Sequence, residues 1–260
     1  MTPLRRVSGL LLALALAAAS TGVCAQIWGY VDDRGVAHFA PERVDERYEL
    51  FHPGEGQPGM PDPQAQAESS GWETPFLMGK APPETGAVVA PPRLLSYFDV
   101  SPHYKAVRHI LRDAAHQNGL APELLQAMVA AESGFDAKAV SHRGAVGLMQ
   151  ITPIAAQEVG LKAPEGRVVE DLLIDPRTNL HTGAKVLARL STLFPDRLDL
   201  IVAAYNAGEG AVRRAGRQVP DIPETRRYVQ TVLRLYRYLL PPKAVQQARL
   251  RDRLSPFRQP

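Results

Sequence analysis

The sequence predicts a mainly α protein, a helical domain of roughly 150 residues preceded by a small N-terminal β-hairpin module and a disordered linker. Three observations point there. Between residues 103 and 239, apolar residues recur at helical spacing in successive segments bounded by Pro, Asp, Thr or Gly. Nearer the N-terminus, two alternating runs flank a Gly-containing loop. Between these regions, residues 52–92 hold nine prolines and six glycines among Gln, Ser and Glu, a composition that sustains neither strand nor helix.

Residues 1–25 place Arg5 and Arg6 ahead of an apolar run over 10–19, followed by Ser20-Thr-Gly-Val-Cys-Ala25. This is the pattern of a secretory signal peptide cleaved after Ala25, so a periplasmic protein is expected. The run is short for a membrane span. Cys24 raises an outer-membrane lipoprotein as the weaker alternative, because Thr21-Gly22-Val23 lacks the leucine expected at the third position back. A mature chain starting at Gln26 contains no cysteine and must be held by packing without disulfides.

The hairpin module, residues 26–51, reads as Ile27-Trp-Gly-Tyr-Val31, the loop Asp32-Asp-Arg-Gly35, and Val36-Ala-His-Phe39. Such a hairpin is marginal alone in water, so it should dock on something or gain a third strand. His38 reads as a surface side chain rather than a ligand. The linker follows, and the folded helical domain spans 94–240.

Its first helix, 103–118, carries Val107, Ile110, Leu111, Ala114 and Ala115 and ends at Gly119. The next runs from Pro122, a first-turn residue, to the stop at Gly134, with an apolar stripe of Leu124, Leu125, Met128 and Val129. A Gly-punctuated stretch follows, Ser141-His-Arg-Gly144 and Gly147-Leu-Met-Gln150. Thr152-Pro153 is an N-cap and first-turn pair opening a helix to about Val159. Asp175-Pro176 opens another, with Leu180, Ala184, Leu187, Leu190 and Phe194 on one face. Residues 200–207 form a short apolar helix stopped by Gly208, and Pro223 opens the last, with Val229, Val232, Leu233, Tyr236 and Leu239 inward.

Charge is unevenly distributed. From Arg213 onward there are 12 Lys or Arg against three acids, while residues 26–212 carry 16 against 24. The basic end, including a tail over 241–260, suits an anionic membrane surface or an acidic wall polymer. Nucleic acid is a poor match for an exported chain, and a solvated arginine face without a partner is the competing explanation.

Chemistry concentrates at Glu132, the next position on the stripe after Met128 and Val129. An acid against those side chains, near the negative end of the helix dipole, is disfavoured in its ionised form. A carboxyl held protonated near neutrality is what a general acid requires. A frayed helix end with Glu132 in water, or a buried Glu paired with an arginine, is the plainer alternative. Metal and nucleophile templates are missing: the sequence has no His-x-x-x-His pair, no Gly-x-Ser-x-Gly and no Gly-rich loop after a strand. No metal or organic cofactor is expected.

An ordered series surrounds Glu132. Glu132-Ser-Gly-Phe-Asp136 precedes Ala139-Val-Ser141, Gly144-Ala-Val-Gly-Leu-Met-Gln-Ile151 and Pro153. Then come Asp175-Pro176, Asn179-Leu-His-Thr-Gly183, Ala203-Ala-Tyr-Asn-Ala-Gly208 and Ile222-Pro-Glu-Thr-Arg-Arg-Tyr-Val229. In this order and spacing, over residues 99–240, they resemble the catalytic domain of the soluble-type lytic transglycosylases, a lysozyme-like family. The N-terminal stretch is similar, through Trp28, Tyr30-Val-Asp32, Gly35 and His38-Phe39, to a small uncharacterised module found ahead of cell-wall lytic enzymes. That second likeness implies no activity.

The family resemblance implies a peptidoglycan lytic transglycosylase with peptidoglycan glycan strands as its partner, acting as a monomer. It places the single catalytic acid on Glu132. It matches Met149 and Gln150 to a glycan-contacting pair, Ser141 to a hydroxyl near the acid, and Tyr205, Asn206 and Tyr228 to substrate-binding positions. Each has a plainer alternative: a core methionine at 149, a helix-capping Gln150, a loop serine at 141. Asn179 and Gly183 read as a polar anchor and a close helix contact, and Glu224 as a first-turn residue complementing the helix dipole. Asp136 and Glu158 remain open as a second acid, which a water-using muramidase would need. A non-catalytic wall-binding or scaffold protein on the same fold is the alternative of a different class.

Overall fold

The computed structural model describes residues 26–52 and 97–241. The expected signal peptide, the linker beyond His52 and the basic tail after Pro241 lie outside the described residues.

The N-terminal module is a three-stranded antiparallel sheet, β1 (Ile27–Val31), β2 (Ala37–Ala40) and β3 (Glu49–His52), in the order β2-β1-β3. The β1–β2 turn is built by Asp32. Its carboxylate accepts from the amides of Arg34 and Val36, and its carbonyl accepts from Gly35, which sits at φ 79°. Register pairs Trp28 with Ala40 and Tyr30 with His38. The third strand covers the other edge of β1, and it carries the module to His52, one residue past the expected boundary.

The sheet also docks. Ile27 is wholly buried, with Val36 and Ala37 nearly so, and Phe39 and Phe51 pack against the helical core. Hairpin docking and a third strand are therefore both present. This follows from the marginal stability of two strands in water. His38 stacks on Tyr30 and lies 3.3 Å from Asp32, a partly exposed structural side chain.

Eight helices with described bounds follow: α1 (Pro102–Gln117), α2 (Pro122–Ser133), α3 (Pro153–Glu158), α4 (Val169–Leu173), α5 (Pro176–Leu193), α6 (Leu198–Ala207), α7 (Glu209–Arg214) and α8 (Pro223–Leu239). Proline occupies the first turn of α1, α2, α3, α5 and α8. Side-chain caps from Ser101, Thr152 and Asp175 satisfy amides that the first turns of α1, α3 and α5 cannot pair internally. Gly134 ends α2 in the left-handed conformation.

One expectation is corrected. The segment over 122–133 reads as amphipathic, yet α2 is buried on most sides, at Leu124, Leu125, Ala127, Met128, Val129, Ala130 and Ser133. It is the central helix, packed by α1, α8 and β2. Small residues at 127 and 130 let those neighbours approach faces that an alanine does not mark as inward.

Candidate active site

Glu132 stands in the last turn of α2, one residue before Ser133 and two before the cap at Gly134. Its side chain keeps partial solvent access but is enclosed by α6 and α8. Burial pushes its pKa from 4.5 up to about 8, and the hydrogen bond from Tyr228 acts in the opposite direction. The Tyr228 hydroxyl donates to Glu132 Oε1, and its oxygen also lies 3.6 Å from Met128 Sδ. Tyr228 and Tyr205 are themselves held well above the usual phenol range, by burial first and by the Glu132 charge second. Both phenols therefore remain donors while the carboxyl changes state.

Tyr205 of α6 donates to the Met149 carbonyl at 2.8 Å. This bond anchors the loop between α2 and α3, which folds back on itself through Val146–Ile151 and Val140–Val146 bridges. Asn179, wholly buried on α5, accepts from the Met149 amide and donates to the carbonyls of Val146 and Leu173, each at 2.8 Å. A polar anchor is thus what Asn179 is. Gly183 on the same helix leaves room for the Met149 side chain, which any Cβ there would strike.

The sequence-derived site residues sort into two groups. Glu132, Tyr205 and Tyr228 converge: Tyr228 bonds to the acid directly, and Glu132's charge bears on both phenols. Met149 has a side chain fully buried against Gly183, and its backbone serves the loop. Ser141 lies in the loop, its hydroxyl accepting from the amides of Arg143 and Ala145. Gln150, at φ 46°, neither caps α3 nor leaves its amide nitrogen idle, since it donates to the carbonyls of Ala139 and Gly147. Asn206 accepts from Thr225 at 2.8 Å, which orients its amide.

Among the described residues, no second acid is seen bonded to Glu132. Asp136 binds the Lys138 amide and faces Arg34 of the β module, and Glu158 pairs with Arg189 at the surface. Among the described residues, burial is the influence that raises Glu132. Glu224 is exposed in the first turn of α8. Among the described residues, no three His, Cys, Asp or Glu side chains converge so as to hold a metal ion.

Two functional contacts escaped the sequence. Ser133 donates to the Leu148 carbonyl at 2.8 Å, tying the loop to the end of α2, and Thr225 sets Asn206. A serine after the acid and a threonine in a first turn carry no pattern that would single them out.

Comparison with known proteins finds these similarities. Residues 109–226 match the family described as transglycosylase SLT domain. Membrane-bound lytic murein transglycosylase C of Sodalis glossinidius is 33% identical over 114 residues, covering 40% of this chain and 32% of the relative. The protein of that name from Histophilus somni is 32% identical over 122 residues, covering 44% and 34% respectively. The chain thus spans about a third of the length of the curated relatives it matches. Among solved structures, an inactive mutant of lytic transglycosylase Slt from Pseudomonas aeruginosa is 26% identical, covering 61% of this chain and 28% of that one, with a TM-score of 0.46. The 70 kDa soluble lytic transglycosylase in complex with bulgecin A is 28% identical, covering 56% and 26%, with a TM-score of 0.47. Among the described residues no helix is long and apolar enough to cross a membrane. Residues 109–226 of this chain, carrying Glu132 and Tyr205, are thus similar to the transglycosylase SLT domain.

Proposed function

We propose that this chain is an exported lytic transglycosylase acting in the periplasm on peptidoglycan, cleaving the β-1,4 bond between N-acetylmuramic acid and N-acetylglucosamine. The observation that carries the reading is an enclosed carboxyl at Glu132, bonded by the Tyr228 phenol and pushed by burial up to about 8.

Protonated Glu132 gives its proton to the glycosidic oxygen as the C1–O bond breaks, releasing the N-acetylglucosamine side as an alcohol. The muramoyl 2-acetamido oxygen stabilises the cationic C1. The Glu132 carboxylate then takes the proton of the sugar's own 6-hydroxyl, whose oxygen attacks C1. Glu132 ends protonated, no water is consumed, and a 1,6-anhydro-muramoyl end forms. Intramolecular attack gains from proximity what a diffusing water lacks. A hydrolytic muramidase would need a second carboxylate as nucleophile or as base for water, and the two candidates Asp136 and Glu158 are engaged with Lys138, Arg34 and Arg189. Tyr228 holds the acid and stabilises its charged form. Asn206, oriented by Thr225, has an NH2 group to offer a glycan hydroxyl or carbonyl.

Mass spectrometry of purified sacculi digested by the protein is the test. Muropeptides ending in 1,6-anhydro-muramic acid, about 18 Da lighter than hydrolytic products by one water, are expected. Reducing ends would replace this mechanism with a hydrolytic one, and the absence of products from folded protein would favour a wall-binding role.

A further inference from the structure

The β module touches the two helices that carry the reactive pair. On α2 the contact is at Gly134, two residues after Glu132. At φ 55° its Cα faces the β2 backbone so closely that a Cβ there would overlap the Ala37 carbonyl and come within 2.8 Å of Ala37 N and Val36 Cγ1. On α8 the contact is Arg234, six residues after Tyr228 and so about 9 Å along the helix. Its guanidinium is buried, with 7% of the residue exposed, and Nη1 donates to the carbonyls of Gln26 at 3.0 Å and Pro41 at 2.7 Å. Those carbonyls lie at the entry to β1 and the exit from β2. A second, looser link runs from Arg227, beside Tyr228, to Glu42 at 4.0 Å.

Apolar docking through Ile27, Val36 and Phe39 would suffice to keep the module attached. A buried cation does not serve that purpose, because taking a guanidinium out of water is costly unless its donors are directed at acceptors. What directional bonds add is registration. β2 packs on both α2 and α8, which pack on each other, so it spans the joint across which Tyr228 reaches Glu132.

We propose that the N-terminal β module is a positioning element of the active site, gripping α2 at Gly134 and α8 at Arg234 so that the Tyr228 hydroxyl is held on Glu132. The proposal rests on the assignment of Glu132 as the acid given above. Arg234 is a positioning residue: it acts through α8 and touches no substrate.

The experiment uses the full chain with Arg234→Gln and Arg234→Lys, measured well below their melting temperatures. Arg234→Gln is expected to lower kcat on sacculi by about tenfold with KM changed less than about twofold, and Arg234→Lys, which still donates to the two carbonyls, to recover most of the loss. In parallel, the Glu132 side-chain carboxyl is titrated by carbon NMR in both variants and the wild type. Its midpoint is expected to rise further above the ordinary carboxylate range in Arg234→Gln, because the Tyr228 bond that favours the ionised form is loosened, and to stay near the wild-type value in Arg234→Lys. A lowered melting temperature with unchanged kcat and unchanged Glu132 midpoint would overturn the proposal, leaving Arg234 as a docking residue only. If the wild type releases no muropeptides, the functional reading fails by itself, and the NMR titration still decides whether the module positions Glu132.

Discussion

Tyr228 on α8 donates its hydroxyl to Glu132 at the end of α2, joining residues 96 positions apart in the chain. Met128, one turn before Glu132 on the same helix, contacts the same phenol oxygen through its sulfur. The phenol therefore packs on the helix that bears the acid while bonding to the acid itself. Two opposed influences meet on one carboxyl: enclosure favours the protonated form, and the phenol favours the ionised form. A group that must give a proton and later take one back benefits from that balance.

Removing the phenol oxygen tests that balance. In Tyr228→Phe, the influence favouring the carboxylate is gone, so the midpoint of Glu132 is expected to rise above its present value near 8. The alkaline limb of the kcat profile should move to higher pH. At its optimum the variant should lose roughly 10- to 100-fold in kcat through loosened orientation of the acid. A pH–rate profile on sacculi from pH 5 to 10 reads both quantities, and an unmoved limb would separate Tyr228 from the acid.

The raised Glu132 pKa also links stability to pH. Between the ordinary glutamate value of 4.5 and about 8, the folded protein holds a proton that the unfolded chain has released. The folded state binds more protons there, so stability falls with rising pH across that window. The contribution is fully present below 4.5 and lost once pH passes about 8. Glu132→Gln stays neutral throughout. Its melting temperature should exceed the wild type's by roughly 5 °C more at pH 9 than at pH 4. Turnover should fall by at least ~100-fold at every pH. Thermal melts at the two pH values check the sign, and equal differences would contradict a raised midpoint.

The long helices were legible because proline, capping residues and glycine punctuate them. Asp175-Pro176 and Thr152-Pro153 mark N-termini that the structure reproduces, and Gly134 marks a C-terminus. Short helices were not: α4 and α7, of five and six residues, are too short to display a periodic stripe. The docking of the sheet was legible only as a need, because the partner of Ile27 and Ala37 lies across the sequence in α2 and α8. Glu132 was legible as an apolar-face acid, whereas the likeness put Tyr228 at a substrate-binding position and its bond to Glu132 was not foreseen. The packing around Met149 was not legible locally: it involves Gly183 and Asn179, 34 and 30 residues away in the sequence.

Asn179 is expected to be the costliest polar residue to lose near the loop. It is fully buried and makes three 2.8 Å bonds, one accepted from Met149 and two donated to Val146 and Leu173. Asn179→Ala leaves one amide and two carbonyls without partners where water has little access, at about 1–3 kcal/mol for each group. A loss of at least about 3 kcal/mol in urea unfolding follows. Unchanged stability would mean that water replaces the side chain.

Two glycines in the same loop separate steric need from backbone need. Gly147 and Gly144 sit at φ 75° and 76°, so alanine pays similar backbone strain at either, about 1–2 kcal/mol. Their surroundings differ. A Cβ at Gly147 would stand 2.5 Å from Asn179 Nδ2 and 2.8 Å from the Leu173 carbonyl, whereas at Gly144 nothing lies within 4 Å. Gly147→Ala must push Asn179 off the Val146 and Leu173 carbonyls, adding the loss of that anchor to the strain. We expect Gly144→Ala to lower unfolding free energy by no more than about 2 kcal/mol with kcat nearly unchanged. Gly147→Ala should cost about 4 kcal/mol or more, the strain plus at least one broken anchor, and should lower kcat by displacing the Met149 carbonyl that holds Tyr205. Urea titrations and sacculus digests of the two variants side by side test this. Equal effects would show that the loop absorbs the clash, and the Asn179 anchor would then not be what shapes this side of the site.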